Sequence, residues 1–143
     1  MSTSDYFMQE PADQILKQKN VKPTAMRQLV LDILRNNPQA VSLLEIEQQL
    51  DHVDRSTIFR TLKIFQENCI IHKIDDGTGA TKFALCSEGC SCNLGDLHAH
   101  FYCNKCGQTS CLKDHLIVQP VLPNGFSFES ANYVIKGICA NCR

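Results

Sequence analysis

Two cysteine pairs, Cys103-x-x-Cys106 and Cys139-x-x-Cys142, carry the spacing most plainly suited to chemistry. Each pair can present both thiols to one ion. Together they supply four thiolates for a tetrahedral zinc once the chain folds back on itself. Gly107 and Gly137 stand beside them as turn residues. The rival reading, a redox-active dithiol, wants an exposed pair in a thioredoxin-like strand–helix–strand setting, which the pattern lacks. A structural zinc (Zn2+) on Cys103, Cys106, Cys139 and Cys142 is therefore expected. Seven of the nine cysteines lie beyond residue 89, which points to two domains. The polar, acidic N-terminus does not have the form of a signal peptide, and no apolar run approaches the roughly 18 residues that span a bilayer. A cytoplasmic protein without membrane contact is expected, and in that reducing compartment clustered thiols serve as ligands rather than as disulfides.

A second constellation is less compact in sequence. His98-x-His100 on a strand puts both imidazoles on one face, because side chains alternate with period two. Cys86 ends an upstream strand and His72 lies in the one before it. Three imidazoles and a thiolate suit a regulatory zinc. Taken singly, His72 or Cys86 is as readily an ordinary structural residue, and the pattern leaves both readings open. Cys90, Cys92 and Cys111 are candidate additional ligands, redox groups or plain loop cysteines.

The elements that must position these groups can be read in order. Pro11 opens a short helix over 11–20 with Ile15 and Leu16 inward. Thr24 caps a second helix whose apolar positions are Met26, Leu29, Val30, Ile33 and Leu34. Ser42 with Glu45 makes a capping-box pattern for a third, with Leu43, Ile46 and Leu50 inward. Asp54 caps a fourth, ending at Asn68, with Ile58, Leu62 and Phe65 on one face. Strands 70–74 and 82–86, separated by DDGTGAT, form a hairpin. Helices followed by a hairpin fit a winged helix-turn-helix whose fourth helix enters the major groove, or a small helical domain with no DNA role. Beyond 97, strands over 100–102, 126–129 and 133–136 are expected around a short helix near 112–118. Such a small α/β unit needs a metal or a partner to hold together. The expected division is a winged-helix domain over 1–86, a hinge over 87–97 and a metal-binding dimerisation domain over 98–143.

Hydrophobic content of 43% and charged content of 20% fit a folded protein. The net charge of −1 does not advertise nucleic acid, although nine Lys/Arg stand against six Asp/Glu from Lys17 to Lys73. A zinc or thiol enzyme is disfavoured, because no HExxH or HxE…PCxxC pattern accompanies the cysteines.

Four segments taken in order make the chain resemble the ferric uptake regulator family. They are KPTAMRQLVLDIL (22–34), STIFRTLKIFQENCIIHKI (56–74), HAHFYCNKCG (98–107) and GICANC (137–142). The resemblance implies a metal-activated repressor acting as a homodimer on a pseudo-palindromic DNA operator. Helix 56–67 would read DNA, with Arg55, Thr57, Phe59, Arg60 and Lys63 as contact candidates. Phe59 replaces the family's usual Tyr. Leu97, Ala99 and Ala131 occupy accessory ligand positions, so that accessory site is expected to be absent, and Cys111 stands where an acidic ligand is common. His72, Cys86, His98 and His100 line up with the ligands of the zinc-sensing branch. Zinc-responsive control of metal-uptake genes is the expected function. An iron (Fe2+)- or peroxide-responsive regulator is the first alternative, and a thiol-redox regulator using Cys90, Cys92 and Cys111 the second. In the expected mechanism the sensing ligands lie on both sides of the hinge, so metal fixes the two domains and without it the hinge is free.

Overall fold

A computed structural model describes residues 9–86, 92, 97–118, 120–129 and 131–143. Most of the expected hinge, and Cys90 within it, lies outside the described residues.

The N-terminal unit is helical, with a small sheet. Helix α1 (Ala12–Gln18) follows Pro11 and buries Ile15 and Leu16. Helix α2 (Ala25–Asn36) starts at Thr24, whose hydroxyl accepts from Arg27 N–H at 3.2 Å. Its buried face is Val30, Leu31 and Leu34, whereas Leu29, expected inward, is half exposed because the stripe runs one residue further round the helix. Strand β1 (Val41–Ser42) leads into α3 (Leu43–Gln48) through a complete capping box between Ser42 and Glu45. Helix α4 (Arg55–Glu67) buries Ile58, Thr61, Leu62 and Phe65. Asp54 is its N-cap residue but makes no side-chain cap bond, and Asn68 closes the other end. Strands β2 (Ile71–Asp75) and β3 (Thr81–Leu85) form the expected hairpin, paired Ile71 with Leu85 through Asp75 with Thr81. Strand β1, not foreseen in the sequence, pairs antiparallel with β3 and gives the order β1-β3-β2. One apolar cluster joins α1, α2, α3, α4 and the hairpin. Each fully buried Leu, Ile or Phe there contributes roughly 1.5–3 kcal/mol of transfer free energy, so this unit has a real core.

The C-terminal unit is a second three-stranded sheet, in the order β5-β4-β6. Strand β4 (His98–Cys103) pairs antiparallel with β5 (Thr109–Leu116) and parallel with β6 (Val134–Gly137). A 3-10 turn over Ala140–Cys142 ends the chain. The helix expected near 112–118 is instead the second half of β5, because the tight turn after Cys103 returns the chain directly alongside β4. The strand expected at 126–129 is absent. Residues 126–129 are irregular and follow a turn in which Phe126 N–H donates to Pro123 O at 3.1 Å and Gly125 sits at φ +86°, a left-handed conformation that suits glycine. Among the described residues beyond 97, Ala99 and Cys103 are the only buried apolar side chains. Burial alone does not stabilise this sheet.

Candidate metal centres and nucleic-acid face

The four-cysteine cluster is built at one end of the C-terminal sheet. Cys103 closes β4 beside Gly137 of β6, so the parallel register brings the two cysteine pairs together. A Cβ at Gly137 would stand 3.1 Å from the Phe101 ring, and Gly107 turns at φ +74°. The sulfurs of Cys103, Cys106, Cys139 and Cys142 all lie within 4.8 Å of one another, with Cys106 and Cys139 3.9 Å apart. Ligands about 2.3 Å from a tetrahedral zinc are roughly 3.8 Å apart, so the residues fit that ion. Backbone N–H groups of Cys106 (3.5 Å) and Cys139 (3.3 Å) point at the Cys103 sulfur and pull its pKa down to about 6. Cys142 is pushed up to about 12, chiefly by its thiol bond with Cys139. The last thiols of such a set ionise only when a cation arrives.

The second cluster is assembled from both units. His72 on β2, His98 and His100 on β4, and Cys111 on β5 bring one donor atom each within 4.8 Å of the others. His72 Nε2 is 3.2 Å from His100 Nε2 and 3.5 Å from the Cys111 sulfur. The ring centroids of His98 and His100 are 4.7 Å apart, and those of His72 and His98 are 5.1 Å apart. Burial, then the charges of His100, His98 and Lys113, lowers the His72 pKa to about 3. Burial and His98 lower His100 to about 4. Both rings are thus neutral near pH 7, the form in which imidazole binds a metal. Burial pushes the Cys111 thiol up to about 11, so it wants a cation to ionise. His100 Nδ1 is buried without a hydrogen-bond partner among the described residues. A compact set of three imidazoles and a thiol fits a soft divalent ion.

Of the four sensing residues expected from the sequence, three meet here. Cys86, buried at the end of the hairpin, lies on the other side of the His72 ring, 3.7 Å from Nδ1 and 4.0 Å from the Cys92 sulfur. Cys111, named only as an additional candidate, faces the imidazoles. Its place was countable: Tyr102 pairs with Thr109, so His100 must pair with Cys111. Reading a helix near 112–118 hid that count.

Helix α4 presents Arg55, Phe59, Arg60 and Lys63 outward, and Phe59 is 55% exposed. Thr57 is half-buried and accepts from Arg60 Nη2 at 3.3 Å. Arg55 also meets Glu47 at 3.7 Å. Between α4 and the hairpin runs an open cleft of about 850 Å³ lined by Arg55, Phe59, Lys63, Lys73 and Phe83 among others. Lys73, from the wing, was not singled out in the sequence. No helix of the described residues is long and apolar enough to cross a membrane.

Residues 18–129 match the sequence profile described as the ferric uptake regulator family. The ferric uptake regulation protein of Bacillus subtilis is 25% identical, with 94% of this chain and 96% of that protein covered. The zinc uptake regulation protein of Mycobacterium tuberculosis is also 25% identical, over 86% of this chain and 95% of that protein. Among solved structures, a zinc uptake regulator complexed with zinc and DNA superposes with a TM-score of 0.67 at 21% identity, covering 99% of this chain and 95% of that one. The profile spans well over half of the residues, and the two-unit fold with its cysteine cluster agrees. The chain belongs to the ferric uptake regulator family and is a metal-responsive, DNA-binding transcriptional regulator rather than an enzyme.

Proposed function

We propose that this regulator is a cytoplasmic, zinc-responsive repressor of metal-uptake genes. The observation that carries the reading is the His72–His98–His100–Cys111 group, which joins wing strand β2 to strands β4 and β5 and contains a thiol but no carboxylate among the described residues. Ferrous sites favour nitrogen and oxygen donors, whereas a thiolate favours zinc. Zinc bound there would be a Lewis-acid crosslink between the two units, with no redox role. His72 supplies the wing's donor through Nε2. His98, His100 and Cys111 supply those of the sheet, and with Nε2 on the ion His72 Nδ1–H would donate to the Cys86 sulfur 3.7 Å away, which would aim the ring. Cys103, Cys106, Cys139 and Cys142 hold a second, structural zinc that keeps β4 and β6 together. The winged-helix unit spans 1–86, with the linker over 87–97 and the metal-binding unit over 98–143.

The chain acts as a homodimer through its C-terminal unit. Val121, Phe126, Tyr133, Ile135 and Ile138 there are exposed apolar side chains, and β6 lies at the sheet edge. Joining His72 to the C-terminal strands fixes each α4 relative to the dimer. The two helices then reach successive major grooves, about 34 Å apart, of a pseudo-palindromic operator. Arg55, Thr57, Phe59, Arg60 and Lys63, with Lys73 on the wing, form the DNA-facing surface. The ion shifts the equilibrium only by its stronger binding to the closed arrangement.

The experiment is metal analysis of the purified protein combined with DNA binding at buffered free zinc and free ferrous iron. Two zincs per chain are expected, the weaker one removable by mild chelation, with DNA binding following that weaker zinc. Full DNA binding supported by ferrous iron with one zinc per chain would establish the iron-responsive alternative instead.

A further inference from the structure

A second connection between the wing and the C-terminal sheet uses no metal-ligand candidate. Lys82 on β3 and Asp76, just after β2, form an ion pair at 2.8 Å, with residues only 9% and 1% exposed. Fully buried Thr109, at the start of β5, lies against both groups. Its hydroxyl donates to Asp76 Oδ2 at 2.8 Å and accepts from Lys82 Nζ at 3.1 Å. Lys82 Nζ also donates to Gly107 O at 2.9 Å, so each of its three N–H groups has an acceptor. Asp76 Oδ1 accepts from Thr78 N–H at 3.0 Å and from the Thr78 hydroxyl. Burial would raise the Asp76 pKa, but the bonds from Lys82, Thr78 and Thr109 hold it well below the usual carboxylate range. Around this pair Ala40 N–H donates to Thr109 O at 2.9 Å, Asn132 Nδ2 to Asp75 O at 2.5 Å, and the Ser110 hydroxyl to Gln39 Oε1.

The charged pair belongs to the wing, yet three of its bonds come from the C-terminal sheet. A buried ion pair with every valence matched is tolerated, whereas one stripped of partners is costly. Separating the units would break those bonds but let water replace them, so the seam is a reversible tie. Its position matters more than its strength. Thr109 and Cys111 are two residues apart on β5 and project to one face, and Asp76 follows His72 by four residues along the wing. Seating Thr109 on the ion pair sets Cys111 beside His72, at 3.5 Å.

We propose that Thr109, braced by Lys82 and Asp76, is a positioning residue that holds the wing and the C-terminal sheet in register for metal binding before the ion arrives. This rests on the reading of His72, His98, His100 and Cys111 as a metal site, so the test has one readout with metal and one without.

The variant is Thr109→Val, which keeps the shape and removes both hydroxyl bonds, compared with Thr109→Ser, which keeps a hydroxyl. Full-length protein carrying its structural zinc, with the weaker zinc stripped, is followed by amide hydrogen exchange at Ala40 and along β2. Zinc alone is then titrated against a competing chelator. Thr109→Val should exchange faster at those amides and bind the weaker zinc about 10- to 100-fold less tightly, in the range of lost supporting contacts around a ligand set. Retained structural zinc and rescue by Thr109→Ser would separate this from general unfolding. Asn132→Ala, at an exposed position of the same seam, should shift both readouts in the same direction by less. Unchanged exchange in Thr109→Val, or equal loss in Thr109→Ser, overturns the proposal. Faster exchange in Thr109→Val, with no weaker zinc bound even by the unsubstituted protein, supports the seam and overturns the metal reading instead.

Discussion

The two metal-ligand clusters differ in how the chain prepares them. The four cysteines gather at one end of one sheet, Cys103 closing β4 and the other three in the turns that follow β4 and β6, and backbone N–H groups already point at one sulfur. The mixed cluster draws on three strands of two sheets, and burial keeps His72 and His100 neutral. The first arrangement suits a permanent ion, because few buried apolar side chains among the described residues hold that sheet otherwise. The second suits an exchangeable one, because each unit has a hydrogen-bonded sheet of its own that does not include the ion. The difference in cores points the same way: a large apolar cluster in the N-terminal unit, and only Ala99 and Cys103 buried beyond residue 97 among the described apolar side chains.

The largest effect should come from the cysteine cluster. Cys103→Ser or Cys142→Ser should abolish the tight zinc and unfold or monomerise the C-terminal unit, since structural zinc contributes on the order of 10 kcal/mol. Zinc content, sedimentation and the thermal midpoint check this. A variant that kept all three would remove the contrast between the clusters.

Next comes the choice of thiol. Cys111→Ser should lose the weaker zinc and zinc-stimulated DNA binding while keeping fold, dimer and tight zinc. Cys86→Ser should retain that zinc at an affinity lower by roughly 10–100-fold, the cost of losing a supporting contact to a ligand. The reverse order, measured by chelator competition, would make Cys86 the ligand and Cys111 the bystander.

Arg60→Ala separates reading DNA from sensing metal. It should weaken DNA binding by ~1–3 kcal/mol if Arg60 contacts a base, at every zinc concentration, without moving the zinc midpoint. A shifted midpoint would mean that α4 and the mixed cluster are coupled through Arg60.

A further effect is on pH. His72 and His100 have pKa values near 3 and 4 in the folded chain and near 6.5 when unfolded. Their depressed values mean that the unfolded state binds protons first as pH falls. Stability of the protein stripped of the weaker zinc is therefore complete above about pH 6.5 and declines from there toward pH 3–4. Chemical denaturation at stepped pH would show it. His72→Ala should flatten that slope, and an unchanged slope would deny that these rings are buried neutral.

Much of this was legible in the sequence because local rules and global fold agree. The Ser42–Glu45 box, the Thr24 cap, the inward face of α4 and the DDGTGAT hairpin each follow from neighbouring residues alone. The two CxxC pairs are legible for the same reason. What failed depended on pairing over distance. Two-residue β1 exists only because β3 lies beside it, and β5 looks helical until the turn after Cys103 is counted. The same miscount left Cys111 an additional candidate rather than the cross-strand partner of His100, and the Lys82–Asp76–Thr109 seam carries no spacing signal, being made between residues up to 33 positions apart.

If one exchangeable zinc is held at once by the wing and the C-terminal sheet, His72 and His98 are ligands of the same ion. The direct test is a double-mutant cycle on affinity for the weaker zinc, comparing His72→Ala, His98→Ala and the pair by chelator competition, with the tight zinc left in place. Ligands of a single ion are coupled, so the double variant should bind little worse than either single one. Losses that simply add would place His72 and His98 in separate sites and contradict the account.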